Sequence, residues 1–168
     1  MTSAPSPNGS STLSHGMSSP PSLQTLKLWK TLRSRPWTTL AVLPAHREGS
    51  AQAATDAIVE AGAAQAPQPV QVSVIDARGV RTEAVPELLS RMKAQADRGS
   101  LTVLLLDSVL TNPTAVPLAI AADATLLCFT LGVSDFASAK ETLSLIGPER
   151  VLGSVVLPGG SARKARSD

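Results

Sequence analysis

The 168-residue sequence has no tyrosine, one cysteine, and only two phenylalanines and two tryptophans. The lone thiol, Cys128, excludes an internal disulfide and fits a reducing compartment. It lies inside the apolar run Leu126-Leu127-Cys128-Phe129, the setting of a core residue rather than a nucleophile. Charge of either sign is scarce, and the formal net charge of +2 does not mark a general nucleic-acid binder. No apolar stretch approaches the roughly 18 residues of a membrane span. The first residues lack the basic start and continuous apolar stretch of a secretory signal. No Cys/His cluster supports a metal, and Gly-x-Ser-x-Gly, the elbow of a serine hydrolase, is absent.

What is present is apolar and aliphatic. Hydrophobic residues make up 43% of the chain, mostly Ala, Val and Leu, a composition that suits a parallel sheet covered by helices. Residues 1–22 are rich in Ser and Pro and carry no Lys, Arg, Asp or Glu, so they read as a flexible tail. Residues 159–168, with Arg163, Lys164 and Arg166, read as a second, basic tail. Between them, residues 23–158 form the expected domain.

Its first element is a helix over Leu23–Ser34. Leu26, Trp29 and Leu32 repeat at helical spacing, and Pro36 stops it. Lys27, Lys30 and Arg33 run beside that apolar line. They form either a solvated face or a contact for a partner, another subunit or anionic lipid. Strands are then expected at Thr38–Leu43, Val70–Ile75, Leu101–Leu106, Ala124–Thr130 and Arg150–Leu157. Helices are expected at Ser50–Ala63, Glu83–Ala96, Pro113–Ala122 and Ser134–Ile146. On the Glu83–Ala96 helix, Val85, Leu88, Leu89, Met92 and Ala96 share one face, and Pro117 keeps the next helix short or bent. The alternation predicts an α/β fold, a three-layer Rossmann-like arrangement of the P-loop NTPase type. About five mostly parallel strands would carry helices on both faces.

Ligands of open α/β sheets sit beyond the carboxyl ends of the strands. After the first strand, a nucleotide-binding protein places Gly-x-x-x-x-Gly-Lys-Ser/Thr, whose amides and lysine hold phosphate and whose hydroxyl binds magnesium. Here the loop reads Arg47-Glu48-Gly49-Ser50-Ala51, with Ser50 at the lysine position and Ala51 at the hydroxyl position. Asp107 follows four apolar strand residues, as a magnesium-holding Walker B carboxylate does, although an Asp at a strand end often only holds the next turn. Asp76-Ala77-Arg78 is either a second acidic position or a surface loop. His46 and Glu48 could do acid–base work, but no nucleophile accompanies them in sequence. Gly159-Gly160 is a chain exit, because no helix follows it.

Several stretches resemble one family. Leu101–Leu157 runs through an apolar strand and Asp107, a helix ending Ala122-Asp123, a turn with Gly132 and Ser134, and a closing Val151-Leu152-Gly153-Ser154-Val155-Val156 strand. Upstream stand Pro86-Glu87-Leu88-Leu89-Ser90 and the degenerate loop at 47–51. From Leu23 to Leu157 the chain resembles the cytoplasmic P-loop domain of bacterial tyrosine kinases and polysaccharide co-polymerases. These are relatives of the MinD/ParA ATPases that regulate assembly and export of capsule or exopolysaccharide. The departures matter as much. Besides Ser50 and Ala51, Leu110 replaces the Pro of Asp-x-x-Pro and Pro158 replaces the base-holding Asn. Val74-Ile75-Asp76-Ala77 fits a later strand of the family, so the acidic Walker A′ segment is missing, and there is no tyrosine for a kinase tail. Lys27-x-x-Lys30-x-x-Arg33 stands in for an oligomerisation helix of Glu-x-x-Arg-x-x-Arg.

The resemblance implies a catalytically inactive regulatory or scaffold protein of exopolysaccharide synthesis and export, with no cofactor. Arg47, Glu48, Gly49, Ser50, Ala51 and Asp107 would be vestigial nucleotide-site positions, and Lys27, Lys30 and Arg33 a partner or oligomer contact. The implied partner is an inner-membrane chain-length regulator or an active ATPase or kinase relative, at the cytoplasmic side. Two other readings stand beside it. One is a residual nucleotide-binding switch in which Arg47 replaces the lysine and the helix start offers amides to phosphate. The other is a ParA/MinD-like positioning protein without a polysaccharide role.

Overall fold

The computed structural model describes residues 22–159. Ser22 opens the first helix, α1 (Leu23–Leu32), its hydroxyl accepting from the Thr25 N–H at 3.1 Å. It is thus an N-cap rather than the end of a tail. The remainder of the Ser/Pro-rich segment and residues 160–168 lie outside the described residues. Trp37 Nε1–H donates to the Leu32 carbonyl at 2.7 Å, satisfying one of the orphan acceptors at the end of α1. Trp29 and Leu32 are buried as the spacing predicts, but Leu26 is 40% exposed.

The chain then alternates: β1 (Thr39–Pro44), α2 (Gln52–Ala63), β2 (Val72–Asp76), α3 (Val85–Asp97), β3 (Leu101–Leu105), α4 (Val116–Ala121), β4 (Ala124–Thr130), α5 (Phe136–Ile146) and β5 (Val151–Leu157). Element types match the sequence reading, with ends shifted by up to a few residues. Single 3₁₀ turns at Thr82–Ala84 and Pro113–Ala115 lead into α3 and α4. Pro86 and Pro117 sit in the first turn of their helices, where the missing amide leaves no bond unmade. Pro117 therefore helps start α4 instead of bending it. Asp135 caps α5 by accepting from the Ser138 N–H at 2.7 Å, so that helix starts at Phe136 rather than Ser134.

All five strands are parallel, in the order β2-β3-β1-β4-β5. The chain moves from β1 past β3 to β2, then reverses and crosses back over β1 to β4 and β5. Right-handed crossovers place α2 on one face and α3, α4 and α5 on the other. The core divides accordingly. Ala41, Leu43, Leu104 and Leu127 pack beneath Leu88 and Met92 of α3, Leu118 of α4 and Ile146 of α5. Leu40, Val42, Val103, Leu105 and Leu126 alternate to the other face, under Ile58 of α2 and Trp29 and Leu32 of α1. The fold is a three-layer α/β sandwich of Rossmann-like type. β1, β3 and most of β4 are buried on both sides, which is why their sequences read as unbroken apolar runs.

A long-range anchor pins the start of β1. The Asp123 carboxylate accepts from the Thr38 N–H and hydroxyl at 2.8 Å each and from the Thr39 N–H at 2.9 Å. Burial alone would raise its pKa, but the bonds from Thr39 and Thr38 outweigh this and hold the carboxyl below the usual range.

Candidate functional site

The carboxyl ends of β1, β3 and β4 lie side by side, and their loops form the surface where a ligand of this architecture sits. The β1–α2 loop folds back on itself there. A Cβ at Gly49 would fall 2.5 Å from Pro44 Cβ and 2.6 Å from His46 Cε1, so glycine is required for the loop to lie flat on the strand end. At Gly49 the loop packs against the Pro44 and His46 side chains.

Each sequence candidate has a definite place. His46 is 3% exposed, and its Nδ1 lies 2.7 Å from Ser134 Oγ in the β4–α5 turn. Ser134 Oγ also accepts from the Thr130 N–H at 2.8 Å. No nucleophile accompanies His46 in the sequence; in space a serine hydroxyl contacts it, delivered from a turn 88 residues away. Neither residue type nor local spacing signals it. Among the described residues His46 Nε2 is buried without a partner and no carboxylate orients the ring, so what the pair does visibly is clamp the two loops together.

Arg47 leaves the loop. Its guanidinium donates to the Leu110 carbonyl at 3.0 Å and pairs with Glu141 at 3.4 Å, tying the loop to the β3–α4 connection and to α5. Glu48 and Ser50 are exposed, and Ser50 Oγ accepts from the Gln52 N–H at 3.2 Å. Ala51 is buried and gives α2 no side-chain cap. The depression beside the α2 start, about 510 Å³, is lined by Glu48, Asp56, His46, Ser50 and Thr130 with Val133 and Leu157. Two carboxylates and no Lys or Arg in its lining oppose a polyphosphate, even at a helix N-terminus.

Asp107 is partly buried and accepts the Gly79 N–H at 2.5 Å, which holds the β2–α3 turn against the end of β3. Gly79 adopts φ +64°, the left-handed region that this turn requires. Asp76 and Arg78 pair within the same turn at 2.6 Å, and the guanidinium keeps the Asp76 carboxyl below its ordinary range. That turn borders an open shelf of about 630 Å³ whose lining mixes Arg78, Arg81 and Arg91 with Asp76, Glu83 and Glu87. Asp107 and the loop at 47–51 thus belong to neighbouring strand ends, but Arg47 and Asp107 are bonded to different elements.

The basic residues of α1 also separate. Lys27 and Lys30 are exposed, whereas Arg33 lies over the Trp37 ring at 5.4 Å and donates to the Trp37 carbonyl at 3.2 Å. Cys128 is fully buried and its thiol is pushed up to about 12, as expected of a core residue. Among the described residues there is no group of three or more His, Cys, Asp or Glu side chains placed to hold a metal ion. Among them, too, no helix is long and apolar enough to cross a membrane.

Comparison with protein-family models, with curated proteins and with solved structures finds no match to this chain.

Proposed function

We propose that this chain is a non-catalytic α/β domain that acts as a regulatory or scaffold subunit of exopolysaccharide assembly and export. The observation that supports the non-catalytic half is the engagement of Asp107 with the Gly79 amide. The carboxylate that would hold magnesium in an ATPase is bonded to its own chain. Arg47, the one cation in the loop, is likewise bonded to Leu110 and Glu141. Phosphoryl transfer depends on a lysine, a metal and oriented amides around one phosphate, and a carboxylate-lined depression opposes that charge distribution. The polysaccharide setting rests on the resemblance of Pro86-Glu87-Leu88-Leu89-Ser90 and Leu101–Leu157 to the co-polymerase domains.

One observation favours a second reading, a residual nucleotide-binding switch: α2 begins without a side-chain cap. The Gln52 N–H is taken by Ser50 Oγ, which leaves the amides after it in the first turn for an anion.

The purified chain is expected to hydrolyse no ATP, to give no binding heat with ATP, ADP or GTP, and to retain a polysaccharide chain-length regulator on an affinity column. Turnover abolished by Asp107→Asn would sink the non-catalytic reading. Binding heat without turnover would move the assignment to the switch. Unchanged surface polysaccharide after deletion of the gene would remove the polysaccharide setting alone.

A further inference from the structure

The sheet has two edge strands, β2 and β5, and they are finished differently. β2 comes soon after Pro67 and Pro69, has five residues, and ends in the Asp76–Arg78 pair. Such features discourage a further strand from adding to an edge. β5 has seven residues, Val-Leu-Gly-Ser-Val-Val-Leu, with no charge and no proline among them. Its one irregularity is the register shift against β4 at Thr125/Leu126, which leaves residues 153–157 regularly paired.

The outer side of that regular segment is open. The Leu157 carbonyl accepts from the Leu131 N–H, on the β4 side, at 3.0 Å. Backbone groups alternate in direction along a strand, so Gly153 and Val155 also face β4, while Ser154 and Val156 turn their N–H and C=O groups outward. Among the described residues nothing bonds to those outward groups. Side chains alternate between the faces as well. Val155 and Leu157 pack toward α1 and α2, whereas Val156, on the other face, is 58% exposed. A Cβ at Gly153 would meet nothing within 4 Å. A groove of about 280 Å³ opens there between β5 and α1, with Leu28, Thr31, Leu152 and Val155 in its lining.

We propose that β5 pairs antiparallel with β5 of a second copy of this chain, about a two-fold axis at Val155, joining two sheets into one. Ser154 of each copy exchanges N–H···O=C bonds with Val156 of the other, which uses the outward groups. Val155 meets Val155 across the axis. Leu157 lies opposite Gly153, where the absent side chain and the groove beside it leave room for a leucine. The occupant is a second copy because the strand is complementary to itself: its outward groups pair in this register, and no like charges come opposite one another. Pro158 and the register shift end the ladder on either side. The interface is therefore short, with a dissociation constant on the order of micromolar. The pairing stands independently of the polysaccharide setting.

Sedimentation velocity of the full chain over a concentration series tests this, and a monomer–dimer equilibrium is expected. Val156→Lys puts a charge on the pairing strand and should weaken the dimer about tenfold. Val74→Lys, on the β2 edge and 44% exposed, should leave it unchanged. Both side chains are open to water, so both variants should melt near the wild-type temperature and neither readout is confused with unfolding. Val155→Cys should oxidise to a covalent dimer, since directly opposed residues of a non-hydrogen-bonded pair bring their Cβ atoms close to disulfide distance. The native Cys128 is buried and does not compete. A chain that stays monomeric at the highest concentrations overturns the proposal. So does a dimer that Val156→Lys leaves intact, or that Val74→Lys weakens equally, because the contact then lies elsewhere. A dimer in which Val155→Cys forms no cross-link overturns it as well.

Discussion

Ser134 Oγ and His46 Nδ1, 2.7 Å apart, join the loop after β1 to the turn after β4. The serine hydroxyl is also the acceptor for the Thr130 amide, so one oxygen holds two loops in register. Ser134→Ala leaves the buried imidazole without the bond at either ring nitrogen. It is expected to lower stability by about 1–3 kcal/mol, read as a lower urea midpoint at unchanged slope. Ser50→Ala, where a P-loop would carry its lysine, should cost no more than about 0.5 kcal/mol, since its one bond, from the Gln52 N–H at 3.2 Å, is exposed to water. Equal effects of the two substitutions would show that the clamp contributes nothing.

Asp123 gives the fold an acid sensitivity. Its folded pKa is depressed below the ordinary 3.8, so its contribution is complete above that value and is lost as pH falls through the folded value. Asp123→Ala is expected to cost about 1 kcal/mol at neutral pH, at the low end for a charged acceptor because the carboxylate is partly open to water. Wild type and variant should converge in stability as pH falls through the folded value of Asp123, below 3.8, in pH-dependent denaturation. A difference that persists undiminished at acid pH would place the effect elsewhere.

Gly62 reverses the usual helix rule. Replacing a helical Gly by Ala normally gains about 0.5–1 kcal/mol. Here a Cβ would meet the Val70 carbonyl oxygen at 2.7 Å, Val72 Cγ2 at 3.0 Å and the Trp29 ring at 3.2 Å. The Val70 N–H donates to the Gly62 carbonyl at 2.9 Å, so the backbone there has little freedom to retreat. Gly62→Ala should therefore destabilise by about 1–3 kcal/mol, with a lower thermal midpoint. A stabilised variant would refute the packing of α1 and β2 against α2.

Cys128 reports global opening. It is the single thiol, fully buried, with its pKa raised to about 12 by desolvation. An aromatic disulfide reagent should label it only at the rate of unfolding and should label the denatured chain at once. Fast labelling under native conditions would contradict the burial of β4 between the two helical layers.

Much of this architecture is legible along the chain. The apolar runs at 103–106 and 126–129 and the helical spacing of Leu88 and Met92 depend on neighbours within a few residues, which is why element types could be read while their ends drifted. Pro117 shows the limit of such reading. The same residue bends a helix or starts one according to where the first turn falls, and the turn at Pro113–Ala115 places it in the permissive position.

That the loop after β1 lacks the lysine of a phosphate-binding P-loop is written in the sequence, because Ser50 and Ala51 cannot supply an ammonium or a magnesium-binding hydroxyl at those positions whatever the fold. What the remaining polar residues do was decided only by the tertiary structure. Asp107 meets Gly79 across 28 positions, Ser134 meets His46 across 88 and Asp123 meets Thr38 across 85. Five parallel strands admit many orders, and each order brings a different set of strand ends together. Placing β1 beside β4 brought His46 to Ser134 and Thr38 to Asp123, and placing β2 beside β3 brought Gly79 to Asp107; no propensity or periodicity along the chain encodes those distances.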